Sequence, residues 1–440
     1  PGPRAGGRRL RDDPGLRQHG AELARIVVLS VPAYGHLNPV LPIVRRLVQR
    51  GHDVTVFNET SFGPLIAATG ARFVAYPPVI HLEDFSRTLK DGDMIAWIHM
   101  ILHATDPLLR ATESALRANQ PDLLVFDGVA LWGEMLAIKL GLPSVSISTT
   151  FMSDAFRRSV GEVAQDTVSI ARQLAGLLLS VGRIAGHGVP SIPHRLPLVP
   201  RRGDVTLMMT SREFHPPSRR RDEPDFVFVG CAIDPGTRTE NFDFGRLDGR
   251  PLLYVSLGTL HHGHSTFFDT CIAAFADFPG QVLLSVGRGT DLGRYAKAPS
   301  HFIFAEAVPQ LAILERTAVF LTHGGLNSVH EALWHGVPMV AVPQQIEQLN
   351  NSNAMAAAGA GLVIDADARG ADVTAADLRR AVEVVLKDRE AFAVAAARVG
   401  DSLRAGGGIE EAANIIEREA TKRSGGVQRM PAKSAPTERA

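Results

Sequence analysis

The 440-residue sequence predicts an α/β protein built of two Rossmann-like, doubly wound parallel-sheet domains facing a central cleft. Three observations carry that expectation. Short apolar runs rich in β-branched residues alternate with helix-length segments, the pattern of βαβ units and a parallel sheet. The alternation breaks once, between residues 212 and 250, in a stretch of Pro, Gly and charge, and then restarts. The length also exceeds what one hydrophobic core usually supports, so two domains of about 200 residues each are expected.

The elements follow in order. Residues 26–31 form an apolar run, interrupted by Ser30 alone, suited to a buried parallel strand. A loop with Gly35 and His36 follows, then Asn38 as N-cap and Pro39 at the first helical position. That helix is expected to stop at Gly51, and a strand at 53–57, a helix to 69 and a strand at 71–76 repeat the theme. Further helices end near 119 and 140, with strands at 123–126 and 144–148. After the break come strands at 252–256, 282–286, 302–304, 319–322 and 339–342, with helices at 267–276, 311–316, 327–335 and from 348. The expected domain map is a disordered tail at 1–22, a first domain at 23–215 and a connection at 216–250 holding one short strand at 226–229. A second domain at 251–420 and a tail at 421–440 complete it.

Composition narrows the function. Lys+Arg 46 balances Asp+Glu 46, which argues against nucleic acid as a partner, since phosphate-backbone binding needs clustered basic excess. Cys231 and Cys271 cannot form a disulfide framework, which suits a reducing cytoplasm. No run approaches the roughly 18 apolar residues of a membrane span, and the first twenty residues lack the apolar core of a secretory signal. The expectation is a cytoplasmic enzyme, monomeric or homodimeric, without membrane attachment.

In doubly wound sheets, ligands bind beyond the carboxyl ends of the strands. That rule selects His36, Asp127, Thr259, His323 and the segment from Gln344 as residues facing the cleft. The strongest signal is H-G-G-L-N-S, residues 323–328, between a strand and a helix carrying Glu331. Glycines there let the backbone approach a ligand, and a helix N-terminus offers unpaired N–H groups to a diphosphate without a metal. The bland alternative is a glycine-rich turn with a cap. Glu331 one turn on suits ribose hydroxyls, and the Glu347-Gln348 pair in P-Q-Q-I-E-Q suits a hexose. His36 with Asp127 reads as a base with its orienting carboxylate, able to deprotonate an acceptor hydroxyl. An isolated His and an isolated Asp are as readily structural, and the residues alone leave both readings open.

The run from Phe320 to Gln348, F-L-T-H-G-G-L-N-S-V-H-E-A-L-W-H-G-V-P-M-V-A-V-P-Q-Q-I-E-Q, resembles the donor signature of the UDP-glycosyltransferase superfamily, glycosyltransferase family 1. Together with P-A-Y-G-H-L-N-P, V-S-L-G-T and V-P-Q at residues 308–310, it is similar in detail to the bacterial macrolide-glycosyltransferase branch over nearly the whole ordered chain. The resemblance implies a GT-B fold and an inverting transfer that needs neither metal nor cofactor. By the same resemblance His323, Gly325, Asn327, Ser328 and Thr259 hold the diphosphate, Glu331 the ribose, Val308 and Gln310 the base, and Glu347 and Gln348 the sugar. The resemblance likewise implies that His36 is the base and Asp127 its partner. Plant members carry a base-stacking tryptophan where this chain has Ala307. The donor implied is UDP-glucose, with a dTDP-deoxysugar as the alternative. The partner implied is a small hydrophobic aglycone such as a macrolide, polyketide or flavonoid.

Trp97, Ile101, Phe151 and Met152 are candidates for an apolar acceptor pocket, or are ordinary core. Asp91-Gly92-Asp93 reads as a solvated turn rather than a metal site, and His261, His262 and His264 as a loop near the donor. Arg219 to Arg221 reads as a solvated face. A nucleotide-sugar 2-epimerase would use the same donor but has no need of His36. A Rossmann oxidoreductase lacks support because the first strand does not lead into G-x-G-x-x-G. A silent nucleotide-sugar sensor is the non-enzyme alternative.

Overall fold

A computed structural model describes residues 23–81, 94–151, 180–189, 203–218, 221–235, 240–258, 265–364 and 373–422. The two expected tails, Asp91 to Asp93, Met152, Arg219, Arg220, Thr259 and the histidines at 261, 262 and 264 lie outside these residues.

The first sheet has seven strands: β1 (Arg25–Leu29), β2 (Asp53–Asn58), β3 (Arg72–Ala75), β4 (Leu123–Asp127), β5 (Ser144–Ser148), β6 (Val205–Met208) and β7 (Phe226–Phe228). Their order is β3-β2-β1-β4-β5-β6-β7, and every pairing is parallel. The second sheet has six: β8 (Leu252–Ser256), β9 (Gln281–Ser285), β10 (Phe302–Ala305), β11 (Thr317–Thr322), β12 (Met339–Ala341) and β13 (Gly361–Val363). Their order is β10-β9-β8-β11-β12-β13, again all parallel. Each sheet therefore reverses its winding once, between β1 and β4 and between β8 and β11. Such switch points open the crevice in which ligands sit.

Both sheets are covered on both faces, which is why the central strands β1, β4, β8 and β11 read as near-continuous apolar runs. Ile26 and Val28 share a core with Leu41 and Val44 of helix α1 (Tyr34–Gln49). Val27 and Leu29 face the opposite core, with Leu108 of α3 (Met94–Asn119) and Leu136 of α4 (Leu131–Leu140); the short α2 (Gly63–Ala67) lies between β2 and β3 in the chain. In the second sheet Tyr254 and Phe320 stack on one face, 4.8 Å between ring centroids, while Val255 and Leu321 serve the other.

Three features differ from the sequence reading. Helix α1 begins at Tyr34, with Ala33 as N-cap and no side-chain cap, so His36 sits in its first turn and Pro39 and Pro42 lie inside it. The strand expected inside the connection is β7, hydrogen-bonded to β6 as the edge of the first sheet. The stretch 251–420 was expected to run as one domain, yet helix α11 (Gly408–Thr421) buries Ala412, Ala413, Ile415, Ile416 and Ala420 in the core beneath the first sheet. Polar contacts fasten it there: Arg50 donates to Glu410 and Glu417 at 2.7 Å each, and His52 lies 2.8 Å from Glu417. The Ala24 N–H donates to His52 Nδ1, so Nε2 carries the proton directed at Glu417. The remaining helices of the second half are α5 (Ser265–Ala274), α6 (Gln310–Leu314), α7 (Leu326–Trp334), α8 (Ile346–Ala357), α9 (Ala375–Lys387) and α10 (Arg389–Ala405).

Candidate active site

At the first switch point, β1 delivers His36 through the start of α1, and β4 ends on Asp127. The ring Nδ1 lies 2.9 Å from Asp127 Oδ2, with Asp127 buried and the His36 side chain 13% exposed. An ionised carboxylate only accepts hydrogen bonds, so Nδ1 carries the proton and Nε2 keeps its lone pair. The other carboxylate oxygen accepts the Val129 N–H at 2.9 Å, which fixes the group. Thr149, one residue past β5 and buried, places Oγ1 3.1 Å from the same Nδ1. Burial works against a charged His36 ring, but Asp127 and then Glu347 outweigh it, so its pKa stands above the ordinary histidine value. Burial likewise raises the Glu347 carboxyl, against the pull of His36 and a hydrogen bond from Asn351.

At the second switch point, β8 leads to Gly258 and β11 to His323, Gly324 and Gly325. The His323 ring fills the space between two glycines. A Cβ on Gly258 would stand 2.7 Å from the ring, and one on Gly325 2.5 Å from it. Burial lowers the ring's pKa to about 4 against a hydrogen bond to the Ser256 backbone, so it is neutral near pH 7. Gly324 takes φ +82°, and a side chain there would run into Ser352 and Gln348. Helix α7 starts directly after, with Gly325 as N-cap and no acidic residue in its first turn. Its first N–H groups have no intrahelical partner and carry the positive end of the helix dipole.

Around this turn the expected donor residues converge. Gln310 Nε2 donates to Glu331 Oε2 at 2.6 Å and to Ser328 Oγ at 3.2 Å, while its Oε1 accepts from Tyr254 at 3.0 Å. The resemblance assigns Gln310 to the base; its side-chain amide donates to Glu331 and Ser328. Gln348 Oε1 accepts the Gln344 N–H at 2.8 Å, and Glu347 stands beside it at the start of α8. Val308 is buried next to a pocket of about 500 Å³ that Arg288, Phe304, Glu306 and Ala307 help to line. Asn327 reaches the other domain, donating from Nδ2 to the Gly35 carbonyl at 2.9 Å.

The apolar candidates separate. Ile101 is fully enclosed in the first domain's core and Trp97 is 7% exposed in the same cluster, so both serve packing. Phe151 packs edge-on against Phe214 and His215 where the two halves meet. Sequence reasoning missed Thr149, Gly258 and Tyr254. Thr149 and Gly258 each follow a strand that the alternation had located, so the strand-end rule would have found them. Tyr254 looked like any apolar strand residue. Among the described residues no cluster of three or more His, Cys, Asp or Glu is arranged for a metal ion. No helix among them is long and apolar enough to cross a membrane.

Two doubly wound domains with polar groups gathered at both switch points define a nucleotide-dependent enzyme class, and comparison with known proteins makes the class specific. The family model for UDP-glucoronosyl and UDP-glucosyl transferase matches residues 240–394. NDP-glycosyltransferase YjiC of Bacillus licheniformis is 31% identical over 401 residues, covering 89% of this chain and 96% of that protein. Oleandomycin glycosyltransferase of Streptomyces antibioticus is 29% identical over 402 residues, covering 90% and 91%. Among solved structures, the glycotransferase of kitacinnamycin has 32% identity and a TM-score of 0.77, covering 91% of this chain and all 100% of that one. CalG4, the calicheamicin glycosyltransferase, has 26% identity and a TM-score of 0.75, covering 92% and 100%. The chain belongs to this family: it is a family 1 glycosyltransferase of the macrolide and natural-product type, with the GT-B fold.

Proposed function

We propose that the enzyme transfers a hexose, glucose from UDP-glucose, to a hydroxyl of a small hydrophobic acceptor such as a macrolide, polyketide or flavonoid, with inversion and without a metal or cofactor. The observation that carries the reading is the His36–Asp127 pair at 2.9 Å, facing the Glu347 and α7 side of the cleft. His36 Nε2 takes the acceptor proton as the acceptor oxygen bonds to the anomeric carbon. The bond from that carbon to the diphosphate breaks on the opposite face. Asp127 stabilises the imidazolium so formed. The departing diphosphate gathers charge at the α7 N-terminus, where oriented N–H groups stabilise it without reorganising. His323, being neutral, meets it as a hydrogen-bonding group and not as a cation. Glu331, held by Gln310, faces the ribose, and Glu347 and Gln348 the sugar.

A dTDP-deoxysugar donor is the second reading; a relative from Streptomyces fradiae, 28% identical, is named for the transfer of mycarose and not of glucose. Calorimetric titration with UDP and dTDP in EDTA tests the donor and the metal independence together. An acceptor screen with the matching sugar nucleotide, using His36→Ala as control, tests the transfer. Failure of both nucleotides to bind a folded protein would sink the donor site. Full activity in His36→Ala would sink the base.

A further inference from the structure

Pro39 lies inside helix α1, and in an α-helix the N–H of one residue bonds the carbonyl four residues earlier. Proline has no N–H, so the Gly35 carbonyl has no helical partner from position 39. Gly35 is exposed, adjoins His36, and a Cβ at its position would meet nothing within 4 Å, so its surroundings are open to the cleft. It accepts a hydrogen bond from Asn327 Nδ2 at 2.9 Å, across 292 residues of sequence. Asn327 is the second residue of α7, in the first turn, where backbone N–H groups are unpaired. A side-chain amide nitrogen carries two hydrogens, and Gly35 occupies one of them.

We propose that Asn327 is a positioning residue that bridges the cleft, one amide hydrogen on the Gly35 carbonyl and the other turned to the donor's diphosphate, and that Pro39 keeps that carbonyl available. The inference rests on the donor site proposed above. Through it, occupation of the donor cradle and placement of His36 become one coupled event, because the first turn of α1 carries both Gly35 and His36. Coupling of this kind is reciprocal: whatever loosens the bridge at Gly35 weakens nucleotide binding at α7, though it touches no nucleotide.

The test uses the full chain, with UDP and dTDP as calorimetric probes. Pro39→Ala supplies the missing N–H, which draws the Gly35 carbonyl into the helix, and alanine favours the helix, so the variant folds. The affinity of the tighter nucleotide is expected to fall roughly two- to tenfold, the worth of one net hydrogen bond. In an Asn327→Ala background, or Asn327→Asp should the first fold poorly, the same Pro39→Ala change is expected to have no effect. A second readout is the NMR signal of the His36 ring, which should move on nucleotide addition in the wild type and stay fixed in Asn327→Ala. Unchanged affinity in Pro39→Ala, or an equal loss in both backgrounds, overturns the bridge and leaves the donor site standing. No nucleotide binding to the wild type overturns both.

Discussion

Asp127→Asn tests the base directly. The substitution keeps the shape and an acceptor oxygen but removes the charge 2.9 Å from His36 Nδ1. At an effective dielectric constant of about 20, two unit charges at that distance attract by about 6 kcal/mol. A transition state in which the imidazole has taken about half the proton would forfeit about 3 kcal/mol, close to two orders of magnitude in kcat. The pH profile provides an independent check. His36 acts only when neutral, so the rate rises with pH as it loses its proton. Burial pulls its pKa down and Asp127 holds it above the ordinary value, so removing the charge should carry the acid limb to lower pH. Initial rates with an acceptor from the screen, taken across pH 5 to 9, give both quantities, and UDP affinity measured alongside should not change. A loss of less than about tenfold in kcat, or an acid limb that stays in place, would refute the assignment of Asp127 as the partner that stabilises imidazolium.

Other outcomes follow from the same geometry. Gly258→Ala puts a methyl group 2.7 Å from the His323 ring on a backbone at φ +76°, so it should lower the melting temperature, with about 1–2 kcal/mol from the backbone alone, and weaken UDP binding; wild-type affinity would refute the role of the ring's seat. Gln310→Leu strips Glu331 and Ser328 of their shared donor and should weaken UDP by roughly tenfold, which titration would show. Thr149→Val should lower kcat a few-fold, roughly the worth of one hydrogen bond, with donor affinity intact, and a rise in the donor's KM instead would count against its role beside His36. Burial holds His330 down to about 3 and His323 to about 4, so an unfolded chain binds protons from about pH 6.5 downward that the folded one refuses. Stability should therefore fall as pH drops from 6.5 toward 4, by about 1.4 kcal/mol per unit for each group, while His36, protonated in both states there, adds no slope. A melting temperature unchanged between pH 7 and 5 would contradict this.

Much of the fold was legible because parallel strands covered on both faces announce themselves as apolar runs, as residues 26–29 and 252–255 do. The edges were less legible. β7 is three residues long, and only its pairing with β6 distinguishes an edge strand from an extended linker. Helix α11 reads as an ordinary amphipathic helix; nothing local tells which sheet its apolar stripe will cover, and only the fold shows that stripe under the first sheet with Glu410 and Glu417 meeting Arg50 and His52. The strand-end rule singled out His36, Asp127 and His323, and the fold sets them at or just past the carboxyl ends of β1, β4 and β11. It could not say that Gln310 spends its amide on Glu331, because that depends on side-chain reach across three elements.

Pro39 shows where local reading and tertiary use diverge. Sequence rules place a proline at the first position of a helix, where its missing N–H costs nothing, and from that the helix is expected to begin at Pro39 with Asn38 as its cap. The helix instead begins at Tyr34 and runs through Pro39, an arrangement that forfeits an internal hydrogen bond. The forfeited bond is the one that would have engaged Gly35, and Asn327 from the facing domain takes its place at 2.9 Å. A local rule broken at Pro39, three residues after His36, with the carbonyl it releases engaged from the opposite domain, is the pattern expected where function overrides helix propensity. Under the proposed mechanism the G-H-L-N-P run has two tasks: it supplies the histidine base, and it leaves the Gly35 carbonyl for Asn327 to engage across the cleft.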